Sequence, residues 1–510
     1  MMAEQYLKHP LAGKKFTGAV PAAEAAVREC GNAGTSDYVL DTLQRVLTES
    51  GAYGWQITDT KTRGWEFYFI RHRLDQNRVK NTEHITARVY VRPQNAEGEA
   101  DTVGDSSTEI PPTASAAEIR RQVDRLLRQA ALIHNPAYTL NPAVSPEAAR
   151  DLARKMEEAR ASEEAQEQGA APQKGAAQSP AAEGSGAETA GKPAGPETVS
   201  GDLIRLMQSL PETPTEDVNS YEIFADHVTR RMITSAGTDV TETYPESALE
   251  VVTNARRDGH EIEMYRMFRA GTCGTAGLKR ELEAQLLRGK DRLRTVPTPD
   301  LKKAPVVFSS FEMLAICQWF LDSLDAASVV RGISSWKPGV PAAESYEGDR
   351  MTIRAVRFLP DSPENRLLDP EGAPVEDLTL MRDGIPEHYW GSRQYAERLG
   401  IGQSFQLTNT VFSGGSQSAE EIRHGNFLEV VEFSDFQVSA MTGDIAGEIR
   451  LAYWHENGRV TPVSGGSVSG SMKDFIRTMT MTRESRQYGS MRVPAAVRLE
   501  GVTISGIAEI

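Results

Sequence analysis

The spacing of apolar residues over the first 150 positions predicts helices and strands in alternation. Leu40, Leu43 and Leu47 share one face of a helix predicted from Asp37 to Ser50. Apolar side chains then recur at every second position, which is typical of strands with one buried face. The two predicted strands are marked by Trp65, Phe67 and Phe69 and by Ile85, Ala87, Val89 and Val91.

The sequence Ser115-Ala-Ala-Glu118 is a capping box, which predicts the start of a second amphipathic helix. Together these elements predict an α+β domain at residues 1–150, in which helices cover one face of a sheet.

A change in composition then divides the chain. From Glu157 to Thr198 there is no Val, Ile, Leu, Met, Phe, Trp, Tyr or Cys. Such a segment buries too little apolar surface to offset the entropy lost on ordering. We therefore predict a disordered Ala/Glu/Gly/Pro linker at 151–200. A helix that begins at Pro146 is expected to extend into its first part and to end at about Arg160.

Past the linker, residues 201–300 predict a segment of strands and a helix, with a hairpin turn at Arg257-Asp258-Gly259. A buried strand at Val306–Phe308 precedes an apolar helix from about Phe311 to Leu324. Short strands separated by turns such as Asp383-Gly384 follow. They predict that residues 301–510 form a larger domain rich in antiparallel strands.

Composition narrows the function. Among 510 residues, Lys and Arg number 56 and Asp and Glu number 71, which gives a net charge of −15. Nucleic-acid binding depends on a positive surface, so we expect no direct nucleic-acid partner. There is no apolar run long enough to span a membrane, no apolar core of a secretion signal in the first residues, and three widely spaced cysteines. These features predict a cytoplasmic protein without a membrane partner.

Metal ligands are not grouped in the sequence. The dipeptides His260-Glu261 and His455-Glu456 lack a second histidine four or five residues later. A zinc peptidase helix requires that second ligand. Both histidines are expected on the solvent side of strands, so the sequence predicts no metal site.

Nucleophiles are equally sparse. Val468 occupies the central position of the only Gly-x-x-x-Gly segment that resembles a serine elbow, Gly466–Gly470. Cys273, between Gly271 and Gly274 and before a predicted helix, could act in a cysteine hydrolase with His260 or His227. Turn glycines around an unreactive thiol explain this segment equally well. The sequence therefore predicts no catalytic residue.

The C-terminal half resembles the TldD/PmbA family in a series of short motifs in the same order. The similarity extends from Tyr221 to Gly506 and is in register, although weaker, from Asp37 to Tyr138. Its motifs are Ala304-Pro-Val-Val-Phe-Ser309, Asp369-Pro-Glu-Gly372, Ser392-Arg-Gln-Tyr-Ala396, Val438-Ser-Ala-Met-Thr-Gly-Asp444, Glu456-Asn-Gly458 and Leu499-Glu-Gly-Val-Thr-Ile-Ser-Gly506.

This resemblance implies where a metal site would lie. The catalytic, TldD-like branch of the family carries an HExxxH segment on the helix after the strand equivalent to Val306–Phe308, and a later cysteine ligand. Here that helix, Phe311–Leu321, has no histidine, and no cysteine follows Cys317. The chain thus resembles the TldE (PmbA) branch, whose members lack the metal site and pair with a TldD-like subunit.

By resemblance, we expect a non-catalytic subunit of a TldD/TldE-type metallopeptidase complex that processes unfolded peptides, with zinc only on the partner. The alternatives are a homodimeric peptide-binding or scaffold protein and, more remotely, the cysteine hydrolase. We expect peptide to be held by backbone pairing to a strand edge. Candidate contacts are Asn409 and Thr410, by similarity to a family Thr-Asn-Thr segment, and the turn at Thr442, Gly443 and Asp444, for which a plain β-turn is the favoured explanation.

Overall fold

A sheet of seven antiparallel strands joins segments from both sides of the predicted linker. The computed structural model describes residues 33–93, 101–169 and 195–507. In spatial order the strands run β4-β3-β2-β1-β5-β6-β7. Their bounds are β1 (Gly54–Ile70), β2 (Arg73–Val91), β3 (Thr102–Ile110), β4 (Asn135–Pro136), β5 (Glu216–Thr234), β6 (Asp239–Arg257) and β7 (His260–Ala270).

The pairing of β1 with β5 corrects the predicted division into domains. The two strands are in register from Gln56 opposite Thr234 to Ile70 opposite Ser220. Residues 216–270 therefore extend the sheet begun at residues 54–110 and are not a separate middle segment. The long separation in sequence hid this pairing, since strand periodicity predicts which face is buried but not which strand lies alongside.

Four helices cover one face of this sheet, as predicted, whereas a fifth, Pro146–Gly169, packs against Met232 and Val240 on the other face. The helices of this half of the chain are α1 (Ala33–Glu49), α2 (Ala116–Ala130), α3 (Pro146–Gly169), α4 (Pro196–Gln208) and α5 (Thr275–Arg292). Trp55 and Ile57 lie in the apolar cluster under α1 and α2. Trp65 and Phe67 lie in the cluster under α4 and α5. Because alternate residues of β1 point to the same side, both helix pairs cover the same face.

The helix α3 continues to Gly169, past its expected end at about Arg160 and through the first part of the linker predicted at 151–200, so that part of the prediction is wrong. Ala, Glu, Gln and Arg are strong helix formers even where no apolar side chain is available. Arg160 pairs with Glu157 at 2.7 Å, and Glu163 reaches Arg492 at 2.9 Å. Residues 196–198 likewise belong to α4, and the central part of the predicted linker, 170–194, lies outside the described residues.

The C-terminal domain contains two further sheets, and most of its strand pairs are antiparallel. Together with the sheet and helices of the N-terminal half, it makes the fold α+β. Its strands are β8 (Val296–Pro297), β9 (Leu301–Phe308), β10 (Thr352–Val356), β11 (Leu378–Arg382), β12 (Ile385–Pro386), β13 (Asn409–Ser413), β14 (Phe427–Val438), β15 (Asp444–Glu456), β16 (Arg459–Ser464), β17 (Ser467–Ser471), β18 (Thr480–Met481), β19 (Ser485–Tyr488), β20 (Met491–Pro494) and β21 (Val497–Ser505), and its helices are α6 (Met313–Leu324), α7 (Ala326–Val330), α8 (Arg393–Arg398) and α9 (Met472–Phe475).

One of these sheets closes on itself. Its spatial order is β14-β9-β21-β17-β15, and β14 also pairs directly with β15, so the five strands form a ring. The other sheet runs β12-β11-β10-β13-β20-β19. Helix α6 shares one apolar cluster with residues of both sheets, among them Phe308, Ile353 and Val493. None of the described helices combines the length and apolar character needed to cross a membrane.

The loop between β10 and β11 connects the two halves of the molecule. Its Pro370 carbonyl accepts a hydrogen bond from Gln56 Nε2 at 2.9 Å, and its Leu367 N–H donates to the Glu242 carboxylate at 2.7 Å. Asp361 in the same loop holds the turn that follows β7. These contacts set the position of β7 relative to the C-terminal domain.

The packing of α2 against β3 gives a direct test of the fold. A methyl group at Gly104 would overlap the carbonyl oxygens of Ala130 and Ile133. We therefore expect Gly104→Ala to lower the free energy of unfolding by about 1–3 kcal/mol, because backbone must move to make room. Gly277→Ala on α5 is the matched control, since nothing lies within 4 Å and the helix gains a better helix former. Urea denaturation of both variants measures the difference; equal stability would contradict the described packing.

Candidate functional site

Helix α6 is buried along most of its length. Ile316, Cys317 and Phe320 are wholly inaccessible to solvent, and Trp319 packs edge-on against Trp336 with ring centroids 5.4 Å apart. Burial raises the pKa of the Cys317 thiol, which therefore stays protonated. The helix contributes apolar packing to the C-terminal core and carries no reactive side chain into it.

The side chains of α6 do not fit a zinc ion. Zinc in proteins takes three or four nitrogen, sulfur or oxygen ligands, and cysteine binds it as a thiolate. Across the described ranges, no group of three or more His, Cys, Asp or Glu side chains is arranged to hold a metal. The polar pair on the helix, Gln318 and Asp322, is joined by its own hydrogen bond of 2.8 Å.

A carboxylate lies at the start of α6, where the chain leaves β9. Glu312 accepts a hydrogen bond from the Phe433 N–H at 3.4 Å and a close one from the Ser310 hydroxyl. Burial raises the pKa of Glu312, and the hydrogen bond from Ser310 partly offsets that effect. This end of the helix is therefore polar, in contrast to the rest.

An arginine from the N-terminal sheet faces this end of the helix. The guanidinium of Arg266 on β7 lies 3.8 Å from the centroid of the Phe311 ring and 5.6 Å from that of Phe268. Burial lowers the pKa of Arg266, and the nearby positive charge of Arg288 lowers it further. Arg266 makes no ion pair within 4 Å among the residues that the structure describes.

The other charged side chains between β7, α5 and the start of α6 form only long ion pairs. Arg486 lies 3.9 Å from Glu281 of α5, and Arg292 lies 4.0 Å from Glu432 of β14. The hydroxyl of Tyr488 and Oε2 of Glu432 are buried without a hydrogen-bond partner. We call Arg266, Arg288, Phe311, Glu312 and Tyr488 the arginine junction. It has more cationic and polar groups than its internal contacts satisfy.

Sequence reasoning missed the arginine junction because its residues come from β7, α5, the start of α6 and β19, and form no local motif. One signal was present in the sequence. Arg266 alternates in phase with Met264 and Phe268, so the strand pattern places an arginine on the face that packs against α5.

The structure places Asn409 and Thr410, predicted to contact peptide, inside the C-terminal domain. Both are buried. The Asn409 side chain accepts a hydrogen bond from the Ser362 hydroxyl and donates to Asn365 at 3.0 Å. Backbone pairing with β10 and β20 occupies both sides of β13. Asn409 therefore holds the loop between β10 and β11, whereas the buried hydroxyl of Thr410 has no hydrogen-bond partner among the described residues. Peptide contact by these two residues remains a prediction.

The second predicted contact, Thr442-Gly443-Asp444, is a turn at the surface beside α6. Thr442 and Asp444 are exposed, whereas Gly443 is buried with a φ of +77°. A Cβ at Gly443 would lie 3.4 Å from Trp319 Nε1. The glycine is thus required by both backbone conformation and packing, as a β-turn demands. Peptide contact by the two exposed side chains remains a prediction.

The geometry speaks against the cysteine hydrolase. Cys273 is buried, and its sulfur accepts a hydrogen bond from the Ser247 hydroxyl at 3.1 Å. Burial raises the pKa of the Cys273 thiol to about 11, which opposes thiolate formation at neutral pH. His260 lies exposed at the hairpin turn between β6 and β7, at the opposite end of β7 from Cys273.

His455, of the second His-Glu dipeptide, was predicted to lie on the solvent side of its strand, but it packs against other side chains. His455 stacks on Phe427, with ring centroids 4.1 Å apart, and its Nε2 lies 3.6 Å from the carboxylate of Glu429. Arg423 donates two hydrogen bonds, of 2.6 and 3.1 Å, to the same carboxylate. Burial alone would raise the pKa of Glu429, but the nearby His455 ring and the hydrogen bonds from Arg423 outweigh it and lower the pKa to about 2.

This depressed pKa predicts how stability depends on pH. The pairing stabilises the fold above the ordinary glutamate pKa of 4.5 and is lost as the pH falls toward 2. We expect Glu429→Gln to lower the free energy of unfolding by roughly 3 kcal/mol at pH 7, because Arg423 is left unpaired, and by much less near pH 2. Glu347→Gln, which removes an exposed pair with Arg477, is the control and should change it by less than about 1 kcal/mol. Urea denaturation at both pH values measures this; an equal loss at pH 7 and pH 2 would disprove it.

Comparison with known proteins agrees with this fold. Residues 301–506 match the family model of the PmbA/TldA metallopeptidase C-terminal domain. The metalloprotease PmbA of Escherichia coli O157:H7 is 26% identical over 204 residues, which are 38% of this chain and 45% of that protein. The matched region therefore spans less than half of the curated relative.

Solved structures extend the likeness to nearly the whole chain, at the level of fold. TldE from Thermococcus kodakarensis has a TM-score of 0.66 and 14% identity, and the match covers 91% of this chain and 100% of that one. A candidate modulator of DNA gyrase from Bacteroides thetaiotaomicron has a TM-score of 0.67 and 15% identity over 93% and 99% of the two chains. The chain thus has the fold of these proteins. Its C-terminal domain, residues 301–506, is in addition similar in sequence to the C-terminal domain of PmbA/TldA metallopeptidases.

Proposed function

We propose that this chain is the non-catalytic subunit of a TldD/TldE-type metallopeptidase complex that acts on unfolded peptides. In this proposal a TldD-like partner holds the zinc ion, and the present chain completes the space in which peptide is bound. The two described cysteines are buried free thiols, which suits a reducing compartment, so the same proposal places the complex in the cytoplasm.

The observation that carries the proposal is the packing of α6. The chain retains the C-terminal domain of a metallopeptidase family. On the helix where that family's catalytic branch places its metal ligands, this chain has buried apolar side chains and a protonated thiol. Such a helix supports the fold but offers no ligand that could activate water.

The free edge of β7 supports a role in binding peptide. This strand ends the seven-stranded sheet, so its outer edge has no partner strand in the described part of the chain. Its neighbouring side chains Tyr265 and Met267 are exposed. An extended peptide can add to such an edge through backbone hydrogen bonds, which select for an unfolded chain and not for a particular sequence.

Mixing with a partner tests this proposal. We expect the purified chain to contain no stoichiometric zinc and to cleave no peptide, because α6 supplies no ligand set. With a TldD-like protein from the same genome, we expect a hetero-oligomer by size-exclusion chromatography and cleavage of an unfolded reporter peptide. Metal content is measured by mass spectrometry and cleavage by liquid chromatography.

A partner in which the first histidine of the HExxxH segment is replaced by alanine serves as the control. It should still assemble with this chain but leave the peptide intact. Zinc at one ion per chain, cleavage by the chain alone, or a homodimer that ignores the TldD-like protein would each contradict the proposal.

A further inference from the structure

We propose that the arginine junction is a carboxylate-binding site that takes the C-terminal carboxylate of an extended peptide, with Arg266 as its anchor. The choice of a peptide as ligand rests on the proposed function. The anion preference itself is argued from the side chains of the junction.

The guanidinium of Arg266 is held in place by apolar contacts. The ring of Phe311 lies 3.8 Å from it and that of Phe268 lies 5.6 Å away. Aromatic faces attract a cation and fix its plane, but they leave its N–H groups without acceptors. A planar guanidinium whose N–H groups are not engaged by another side chain matches the two oxygens of a carboxylate.

The charged groups that face Arg266 do not neutralise it. Glu312, from the start of α6, is engaged by Ser310 and by the Phe433 N–H. Glu281 of α5 lies closest to Arg486 of β19, at 3.9 Å. Neither Arg266 nor its neighbour Arg288 has a carboxylate within 4 Å among the described residues, so the junction carries unpaired positive charge in a chain of net charge −15.

Tyr488 supplies a second, independent indication. Its hydroxyl is buried and makes no hydrogen bond of normal geometry, and the neighbouring Arg486 interacts with it only weakly. A buried hydroxyl without a partner destabilises the fold, and such groups are uncommon unless a ligand or water completes them. A carboxylate at the junction could accept hydrogen bonds from both Tyr488 and Arg266.

The surroundings favour the end of a peptide over a small free anion. Arg266 belongs to β7, whose outer edge is free to pair with an extended chain. Phe311 is 37% exposed and offers an apolar surface beside the guanidinium. A peptide that pairs along β7 can therefore place its last side chain on Phe311 and its terminal carboxylate on Arg266.

Binding to the full chain tests this site without a partner. The probe is a decapeptide of Ala, Val and Ser that ends in Phe and carries fluorescein at its N-terminus, made with either a free C-terminal carboxylate or an amide. We expect fluorescence anisotropy to show that the acid binds at least tenfold more tightly than the amide, since one charge-assisted hydrogen-bonded pair is lost.

Variants assign that preference to the junction. Arg266→Gln should reduce the affinity for the acid peptide to that for the amide peptide and leave the affinity for the amide peptide unchanged. Tyr488→Phe should reduce the ratio of the two affinities by a few fold. Arg269→Gln, on the opposite face of β7, should keep the full preference. If Arg266→Gln does not fold, as judged by its melting temperature, Tyr488→Phe and Arg266→Lys must still reduce this ratio.

Several outcomes would overturn the inference. They are equal binding of acid and amide, a preference that survives Arg266→Gln, and an amide peptide with an internal Asp that binds as tightly as the terminal acid. Failure to bind any of the peptides would also overturn it. Cleavage in the presence of the TldD-like partner is measured separately, so that experiment tests the proposed subunit role and peptide binding tests the carboxylate site.

Discussion

The position of the candidate site depends on one carboxylate, that of Asp361. This carboxylate accepts hydrogen bonds from the backbone N–H groups of Thr272 and Gly274 and from the Thr272 hydroxyl. The backbone carbonyl of Asp361 accepts a further one from the Gly271 N–H. Cys273, between these donors, adopts a φ of +53°. Since this turn ends β7, and Asp361 belongs to the C-terminal domain, the contact determines where β7 meets α6.

The remaining contacts at this boundary are also polar and specific. Arg230 pairs closely with Glu242 and donates to the Leu368 carbonyl, while the guanidinium of Arg366 stacks on Tyr244 at 3.1 Å. Buried pairs of this kind contribute little net stabilisation after desolvation, but each one is costly to break. They therefore favour one relative orientation of the two halves, which a site assembled from both halves requires.

The sequence predicted local structure well wherever one face of an element is buried. Ser115 and Glu118 form the predicted capping box, and Asp258-Gly259 forms the predicted turn with both φ angles positive. It failed where the deciding contact is distant in sequence. The pairing of β1 with β5 spans the linker, and the contact of Glu163 with Arg492 stabilises the part of α3 beyond Glu157, which has no large apolar residue. The burial of Asn409 follows from its contacts with Ser362 and Asn365 in a neighbouring loop.

The candidate site shows the same difference between local structure and contacts that are distant in sequence. The burial of α6 could be deduced from its composition, because a helix that is apolar around most of its circumference must be buried. The arginine junction could not, because four elements contribute to it and only the phase of Arg266 within β7 indicated a cation on a packed face. Periodicity assigns a side chain to a face, whereas a site depends on which faces meet.

Helix α6 stabilises the C-terminal domain through apolar packing alone. Ile316, Phe320 and Leu324 belong to the same apolar cluster as residues of both C-terminal sheets, so the helix contributes to the core whether or not it binds a metal. Replacing a ligand by an apolar side chain removes the chemistry but adds buried apolar surface. What remains available for ligands is the polar start of the helix at Glu312 and the cations brought to it by β7 and α5. In the proposed function, this junction binds peptide, while bond cleavage depends on a metal held by the partner.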